Sequence, residues 1–239
     1  MLKREVLMAV GASMLLTTPA LAYRPYDSTD ADVAEDDELE FEFGWRHAEL
    51  EAGGLTGIGA VFNLGVGRDR EIVAEGEWQR WQPTPGAAES GVEDVGLFLK
   101  QVHRRGSLQG EPGISIASEC GALIPRRHEE AGVGAECLLI ASHETSAIAI
   151  HINAGVAYET DHRWARSVGL IVERAGHRRL KPGIELLHER SEGDRSEIAM
   201  LVGLTWTVSE DCALDVAFRR QLQPSSDSHE WRLGLTWTP

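Results

Sequence analysis

Histidines and acidic residues are the first candidates for chemistry in this chain, because both residue types bind metal ions. The sequence has 9 histidines and 38 aspartates and glutamates. A zinc site needs closely spaced ligands, such as two histidines about three to five residues apart or paired cysteines. No pair of histidines has that spacing, so we predict neither a metal site nor a cofactor. The histidines are His47, His103, His128, His143, His151, His162, His177, His188 and His229.

Two serine–histidine combinations suggest a second kind of chemistry, the hydrolysis of membrane lipid with serine as nucleophile and histidine as base. They are Ser142 with His143, and His162 with Ser167. Adjacent residues of a β-strand point to opposite faces, so Ser142 and His143 cannot form a hydrogen-bonded pair within a strand. We therefore predict that the protein is not an enzyme, and keep an outer-membrane lipid hydrolase as one alternative.

Residues 23–38 form an acidic segment that shares only its composition with a calcium-binding loop. Its acidic residues include Asp27, Asp30 and Asp32. An EF-hand loop needs a glycine and a terminal glutamate in fixed register, and the segment lacks that register. It has no periodicity either, so its composition predicts a solvated arm that is disordered or docked beneath the rest of the protein.

The first 22 residues have the features of a secretory signal peptide. A basic start and an apolar stretch from Val6 to Leu16 precede the small-residue cleavage sequence Ala20-Leu21-Ala22. We predict cleavage after Ala22 and export of the mature chain. The formal net charge of -15 makes nucleic acid an unsuitable partner, since nucleic-acid binding depends on basic residues.

The elements that position any site are β-strands, because the apolar residues after position 38 follow a period of two. Leu39, Phe41, Phe43 and Trp45 share one face of the first such segment. The alternation recurs in twelve segments, most of them about 9 to 11 residues long, the length of a tilted strand that crosses a bilayer. We therefore predict that residues 39–239 form an all-β, antiparallel transmembrane β-barrel of about twelve strands. Its partners would be outer-membrane lipid, the barrel-assembly machinery and a small-molecule solute.

Glycines lie on the face opposite to the apolar stripe in most of these segments, as Gly44, Gly169, Gly183 and Gly203 do. On the concave face of a barrel, glycine permits curvature and leaves space. On the solvent face of a sandwich it weakens strands without gain. Glycine placement thus favours the barrel over a soluble periplasmic or surface β-sandwich binding protein, which stays the main alternative.

The connections between the predicted strands have the alternation of a bacterial barrel, with short periplasmic turns and longer outer loops. Those after the second, sixth, eighth and tenth strands are short, and those after most odd-numbered strands are longer. The long connection over residues 104–112 is an exception for which the sequence offers no reason.

Several motifs resemble one bacterial family. They are Arg24-Pro25-Tyr26 with Thr29-Asp30-Ala31, then Glu38-Leu39-Glu40-Phe41-Glu42-Phe43, the turn Arg68-Asp69-Arg70-Glu71-Ile72 and the ending Trp231-Arg232-Leu233-Gly234-Leu235-Thr236-Trp237. With these features the mature chain resembles the MetA-pathway phenol-degradation transporters of Gram-negative bacteria. The resemblance implies an outer-membrane barrel for uptake of small aromatic compounds, and it brings no catalytic motif.

The inward face of the predicted barrel carries more acids than bases. Charges there need water or mutual pairing, so we predict a narrow channel, partly obstructed by side chains, for passage of a small molecule. An acidic constriction favours cations, whereas the resemblance implies a neutral or weakly acidic aromatic solute such as a phenol. The predicted lumen-lining acids are Glu40, Glu42, Glu75, Glu77, Asp94, Glu119, Glu136, Glu173, Glu185, Glu197 and Asp215, and the bases are Arg46, Lys100, Arg219 and Arg232.

Two of the three cysteines, Cys120 and Cys137, share the outward face of the fifth and sixth strands. A connection centred near His128 and Glu129 places them opposite each other, about 4.5 to 5.5 Å apart at Cβ. That separation is close to disulfide geometry. We predict proximity, and leave open whether the pair is bonded or is simply two small lipid-facing residues.

Overall fold

A computed structural model describes residues 24–125, 132–176, 179–223 and 228–239. Within these ranges the chain forms twelve antiparallel strands that close into one barrel. Each strand bonds to its neighbours in sequence, and β1 completes the barrel by pairing with β12. The predicted fold class is confirmed, while the predicted leader lies outside the described residues.

The strands are 9 to 16 residues long, and six of them are longer than the 9 to 11 residues predicted for most. Register shifts interrupt the pairing at Glu75/Glu77, Val102/Arg104 and Thr207/Ser209. The bounds are β1 Leu39–Leu50, β2 Gly53–Gly65, β3 Arg70–Pro83, β4 Glu89–Arg104, β5 Ser115–Ile124, β6 Gly134–Glu144, β7 Ile148–Tyr158, β8 Trp164–Arg174, β9 Leu180–Ser191, β10 Glu197–Ser209, β11 Cys212–Gln221 and β12 His229–Trp237.

The outer face of the barrel is apolar and uncovered. Ile58 and Leu139 are each 57% exposed and Val202 is 50% exposed. A continuous exposed apolar surface of this kind requires a hydrocarbon environment. The soluble β-sandwich alternative is therefore wrong, since the strands form one closed sheet whose apolar stripe points outward. Among the described residues, no helix is long and apolar enough to cross a membrane.

The two ends of the barrel differ in what they carry. The chain enters β1 and leaves β12 at one end, here called the terminal rim, where the connections after even-numbered strands also lie. The other connections lie at the distal rim. Only some of these are long: Glu51 and Ala52 alone join β1 to β2, while residues 125–133 join β5 to β6.

The segment before β1 lies inside the barrel, so the prediction of a solvated arm is wrong. Tyr26 is 1% exposed, Ala31 is fully buried, and Asp27 is buried between them. Composition predicted solvation because it does not show hydrogen-bond partners. The acids and backbone amides of this segment are paired with groups on the inner wall, so they can be buried. Residues 24–38 are called the arm below.

The outward cysteines Cys120 and Cys137 face each other across β5 and β6 and form a disulfide, with their Cα atoms 4.1 Å apart. The predicted proximity is confirmed, and Cys212 is free. We expect mass spectrometry of unreduced peptides to find the linked pair and to find Cys212 alkylated. A bond between Cys212 and either of the others would contradict the strand register.

Candidate functional site

The arm follows the inner wall of the barrel for most of its circumference. Near the terminal rim the Asp37 amide donates to the Gly65 carbonyl oxygen of β2 at 3.1 Å. Farther in, the Ala34 amide donates to Glu71 of β3 at 2.6 Å, and the Ala31 amide donates to the Ser142 hydroxyl oxygen of β6 at 2.9 Å. The arm thus contacts strands that are distant in sequence and lie on different sides of the barrel.

The first described residue of the arm, Arg24, is held by an ion pair. Arg24 Nε lies 3.1 Å from Asp215 Oδ2, and the two side chains are almost fully buried. The same guanidinium donates to the Leu233 carbonyl oxygen at 2.9 Å. Arg24 therefore ties the arm to β11 and β12.

Asp27 sits between two arginines of the wall. Arg232 Nη2 lies 2.6 Å from Asp27 Oδ1, and Arg219 Nε lies 2.8 Å from Asp27 Oδ2. Burial alone would raise the pKa of Asp27, but the charges of Arg232 and Arg219 outweigh that cost and hold the pKa below its usual range. The wall at this position therefore stabilises a carboxylate anion.

Tyr26 fills an apolar part of the interior. Its ring belongs to a buried cluster with Ile171 of β8, Leu201 of β10 and Ala217 of β11. Burial and the nearby Glu173 raise the pKa of the Tyr26 hydroxyl. The arm is thus anchored by apolar packing beside its ion pairs.

Wall side chains also satisfy the arm backbone. Glu185 accepts hydrogen bonds from the amides of Asp27 and Ser28, each at 2.8 Å. Asn153 donates to the Thr29 carbonyl oxygen at 2.7 Å and accepts from the Thr29 amide at 3.3 Å. An interior position needs such bonds, because an unsatisfied buried amide costs about 1 to 3 kcal/mol.

The long β4–β5 connection, unexplained by the sequence, closes over the arm. Its short 3-10 helix Ser107–Gln109 positions the side-chain amide of Gln109. Gln109 Nε2 donates to the Ala31 carbonyl oxygen at 2.8 Å and to an Asp32 carboxylate oxygen at 3.0 Å. Beside it, Lys100 Nζ lies 3.1 Å from the Thr29 hydroxyl. This connection is long because it reaches inward to contact the arm.

Inward glycines form the surface on which the arm rests. A methyl group in place of the hydrogen at Gly203 would meet Pro25 at 2.5 Å, and at Gly169 it would collide with the Ser28 side chain. The absence of side chains leaves room for the arm, in addition to the predicted effect on curvature. The glycines in such contact are Gly44 and Gly234 with Arg24, Gly203 with Pro25, Gly183 with Tyr26, Gly169 with Ser28 and Gly65 with Glu35.

The residues predicted to line the lumen differ in exposure and in partners. Several of them contact the arm, among them Lys100, Glu185, Asp215, Arg219 and Arg232. The buried ones are Glu42, Arg46, Glu77, Lys100, Glu119, Glu173, Glu185, Asp215 and Arg232. The half-buried ones are Glu40, Glu75, Glu136, Glu197 and Arg219, and Asp94 is exposed.

A second group of interior charges lies toward the distal rim. Arg46 Nη2 is 2.7 Å from Glu77 Oε1 and 3.8 Å from Asp94 Oδ2, and Arg46 Nη1 is 3.4 Å from Glu230 Oε2. The predicted interior bases are therefore paired with acids, and acids outnumber bases on the inward face of the barrel.

The sequence reasoning missed several interior residues. Glu71 and Glu230 share the inward phase of their strands, and their alternation with Ile72 and Trp231 could have identified them. By contrast, no sequence signal indicated that Asn153 would bind the arm.

The hydrolase candidates do not form the predicted pairs. Ser142 is buried and His143 exposed, as strand alternation requires, and the His162 ring stacks on Tyr158 at 5.5 Å between ring centroids. Instead, Ser142 Oγ lies 2.9 Å from His151 Nδ1. The Ser142 hydroxyl oxygen also accepts a hydrogen bond from the Ala31 amide, so the arm covers this hydroxyl.

His151 also has an acidic neighbour, with Nε2 3.9 Å from Glu173 Oε1. The three side chains line up in the order serine, histidine, carboxylate, but the serine is covered by the arm. Within the described part of the chain, no group of three or more histidine, cysteine, aspartate or glutamate side chains could hold a metal ion.

Comparisons with known proteins find similarity in structure only. No protein-family model and no curated protein sequence matches the chain. The COG4313 outer membrane channel from Pseudomonas putida F1 superposes with a TM-score of 0.71 at 11% identity, covering 90% of this chain and 100% of that one. The NanC porin gives 0.60 at 7% identity, and the KdgM porin in complex with oligogalacturonate 0.56 at 11%, each covering 82% of this chain and 98% of the other. At such identities the likeness shows the fold alone, and that fold is the outer-membrane β-barrel.

Proposed function

We propose that this protein is an outer-membrane channel for small solutes whose own amino-terminal arm closes the lumen. The observation that carries the proposal is the arm itself, held inside a closed barrel by ion pairs and hydrogen bonds to β3, β6, β7, β9 and β11. Ion pairs and hydrogen bonds exchange with water at small net cost, so the arm is suited to leave and return. The apolar outer face supports a position in the membrane.

The side chains of the interior fit a solute passage better than a permanent hydrophobic core. Its apolar clusters are small, and two of the three include an arm residue, Tyr26 or Ala31. Buried charged side chains, among them Arg46, Glu77, Lys100 and Glu119, line much of the remaining described wall. Release of the arm would expose these groups to water, which stabilises them.

The predicted leader supports export, with the terminal rim on the periplasmic side as in other bacterial barrels. Insertion would then use the barrel-assembly machinery. For the solute, we propose a small molecule, and an aromatic compound is the class that the resemblance implies. Small inorganic ions should cross with cation preference, because acids exceed bases on the inward face.

A reversible crosslink of the arm tests the proposal in the full chain. Ala31→Cys with Ser142→Cys joins the arm to β6, where the Ala31 amide nitrogen lies 2.9 Å from the Ser142 hydroxyl oxygen. In a Cys212→Ser background, we expect planar-bilayer conductance to be absent while the crosslink is oxidised and to appear after reduction. Cys212→Ser alone, with and without reductant, controls for the Cys120–Cys137 bond.

Two results would contradict the channel. One is equal conductance in the oxidised and reduced states, which would mean that the arm does not close the lumen. The other is no conductance in either state from protein that migrates as a folded barrel on unheated gels, which would leave a structural barrel.

A serine hydrolase is the second candidate, favoured by the alignment of Ser142, His151 and Glu173. A fluorophosphonate probe distinguishes the two functions. We expect no labelling of Ser142, because the arm covers its hydroxyl. Labelling that Ser142→Ala abolishes would support the hydrolase.

A further inference from the structure

The two arginines that hold Asp27 form a built carboxylate site. Arg219 and Arg232 approach different oxygens of the same carboxylate, at 2.8 and 2.6 Å, and all three side chains lie in the barrel interior. Arginine binds carboxylates strongly because its planar group directs several N–H donors at once. When the arm leaves, these donors lose their shared acceptor.

An apolar site lies next to this carboxylate site, because Ala217 of the Tyr26 cluster faces Arg232 across β11 and β12 and lies two residues from Arg219 on the same face of β11. Ile171, Leu201 and Ala217 surround the Tyr26 ring. When the arm leaves, this surface faces the lumen. The wall therefore presents an apolar surface beside a pair of guanidinium groups.

We propose that the wall site of Tyr26 and Asp27 binds a small aromatic carboxylate, and that the arm occupies this site in the closed channel as an internal substitute for that solute. The inference rests on the proposed channel function, because a solute reaches the site only from the lumen. It adds to that function the chemical class of the solute and a reason for the arm to move.

Competition between solute and arm couples binding to opening. A ligand shifts an equilibrium only by its difference in affinity for the two states. An aromatic carboxylate binds this site only when the arm has left, so it favours the open state. A solute without the carboxylate would lack the interactions that Asp27 now makes.

The acidic excess of the interior does not prevent local binding of an anion. Glu185, Glu189 and Glu230 also face this region. Glu189 lies 3.6 Å from Arg219, and Glu230 lies 2.5 Å from Arg232. Even so, Asp27 is held there as an anion by both arginines. Small inorganic ions respond to the net charge of the whole passage, whereas a bound solute responds to the two groups that it contacts.

Binding measurements on the full chain test the inference, with 4-hydroxybenzoate as probe and 4-hydroxybenzamide as its neutral counterpart. Asp27→Asn removes the competing carboxylate. We expect it to strengthen 4-hydroxybenzoate binding roughly tenfold to hundredfold, the range of a hydrogen bond to a charged group. Asp37→Asn is the matched control, because the Asp37 side chain is exposed and Asp37 bonds to β2 through its backbone amide, and we expect no change from it.

A second variant keeps the test independent of arm release. In the Asp27→Asn background, Arg219→Gln removes one guanidinium and should abolish the preference for 4-hydroxybenzoate over 4-hydroxybenzamide. Equal affinities for the two probes in Asp27→Asn, or equal effects of Asp27→Asn and Asp37→Asn, would overturn the inference. If the crosslinked arm still controls conductance, the channel stands and only the carboxylate site fails. If no conductance appears in either redox state, the channel fails whatever the binding data show.

Discussion

We expect Gly203→Ala to open the channel. The added methyl group would lie 2.5 Å from Cγ of Pro25, while its other neighbours, Leu201 and Ala217, stay at ordinary contact distances of 3.5 and 3.7 Å. Overpacking of this kind costs about 1 to 3 kcal/mol, and here the arm is the part that can move. The arm-released population should therefore rise roughly 5- to 150-fold, measured as open probability in planar bilayers.

The matched control is Gly96→Ala, another inward glycine. Its methyl group would collide with Phe98 and lie 2.9 Å from Glu75 of the wall, and the apolar cluster of Phe98 consists of wall residues. We expect open probability to stay at the wild-type level in this variant. Similar gains from both substitutions would mean that general loosening of the wall, and not release of the arm, opens the barrel.

How much of this site a sequence can predict depends on which forces place its residues. Strand alternation placed Glu185, Arg219 and Arg232 on the inward face because side chains alternate between faces whatever their partners are. The facing of Cys120 and Cys137 followed from the same regularity once the connection was centred.

The arm could not be placed in the same way. Its contacts join residues as far apart in sequence as Arg24 and Asp215, and they follow no period. Acidic residues such as Asp27 look solvated by composition, because hydropathy ignores the arginines that neutralise them. The inward glycines were the available signal: Gly203 and Gly169 leave space along the wall, and that space holds the arm.

We expect Val202→Arg to destabilise the barrel by about 2 to 4 kcal/mol, the cost of an arginine facing lipid near the bilayer midplane. Val202 lies at the middle of β10 and is 50% exposed on the outer face. Its control on the same strand is Val208→Arg, because Val208 is similarly exposed but lies next to the β10–β11 turn. An arginine there reaches the interface and should cost about 0 to 1 kcal/mol. Urea unfolding in lipid vesicles measures both free energies, and equal costs at the two positions would mean that lipid does not cover the middle of this face.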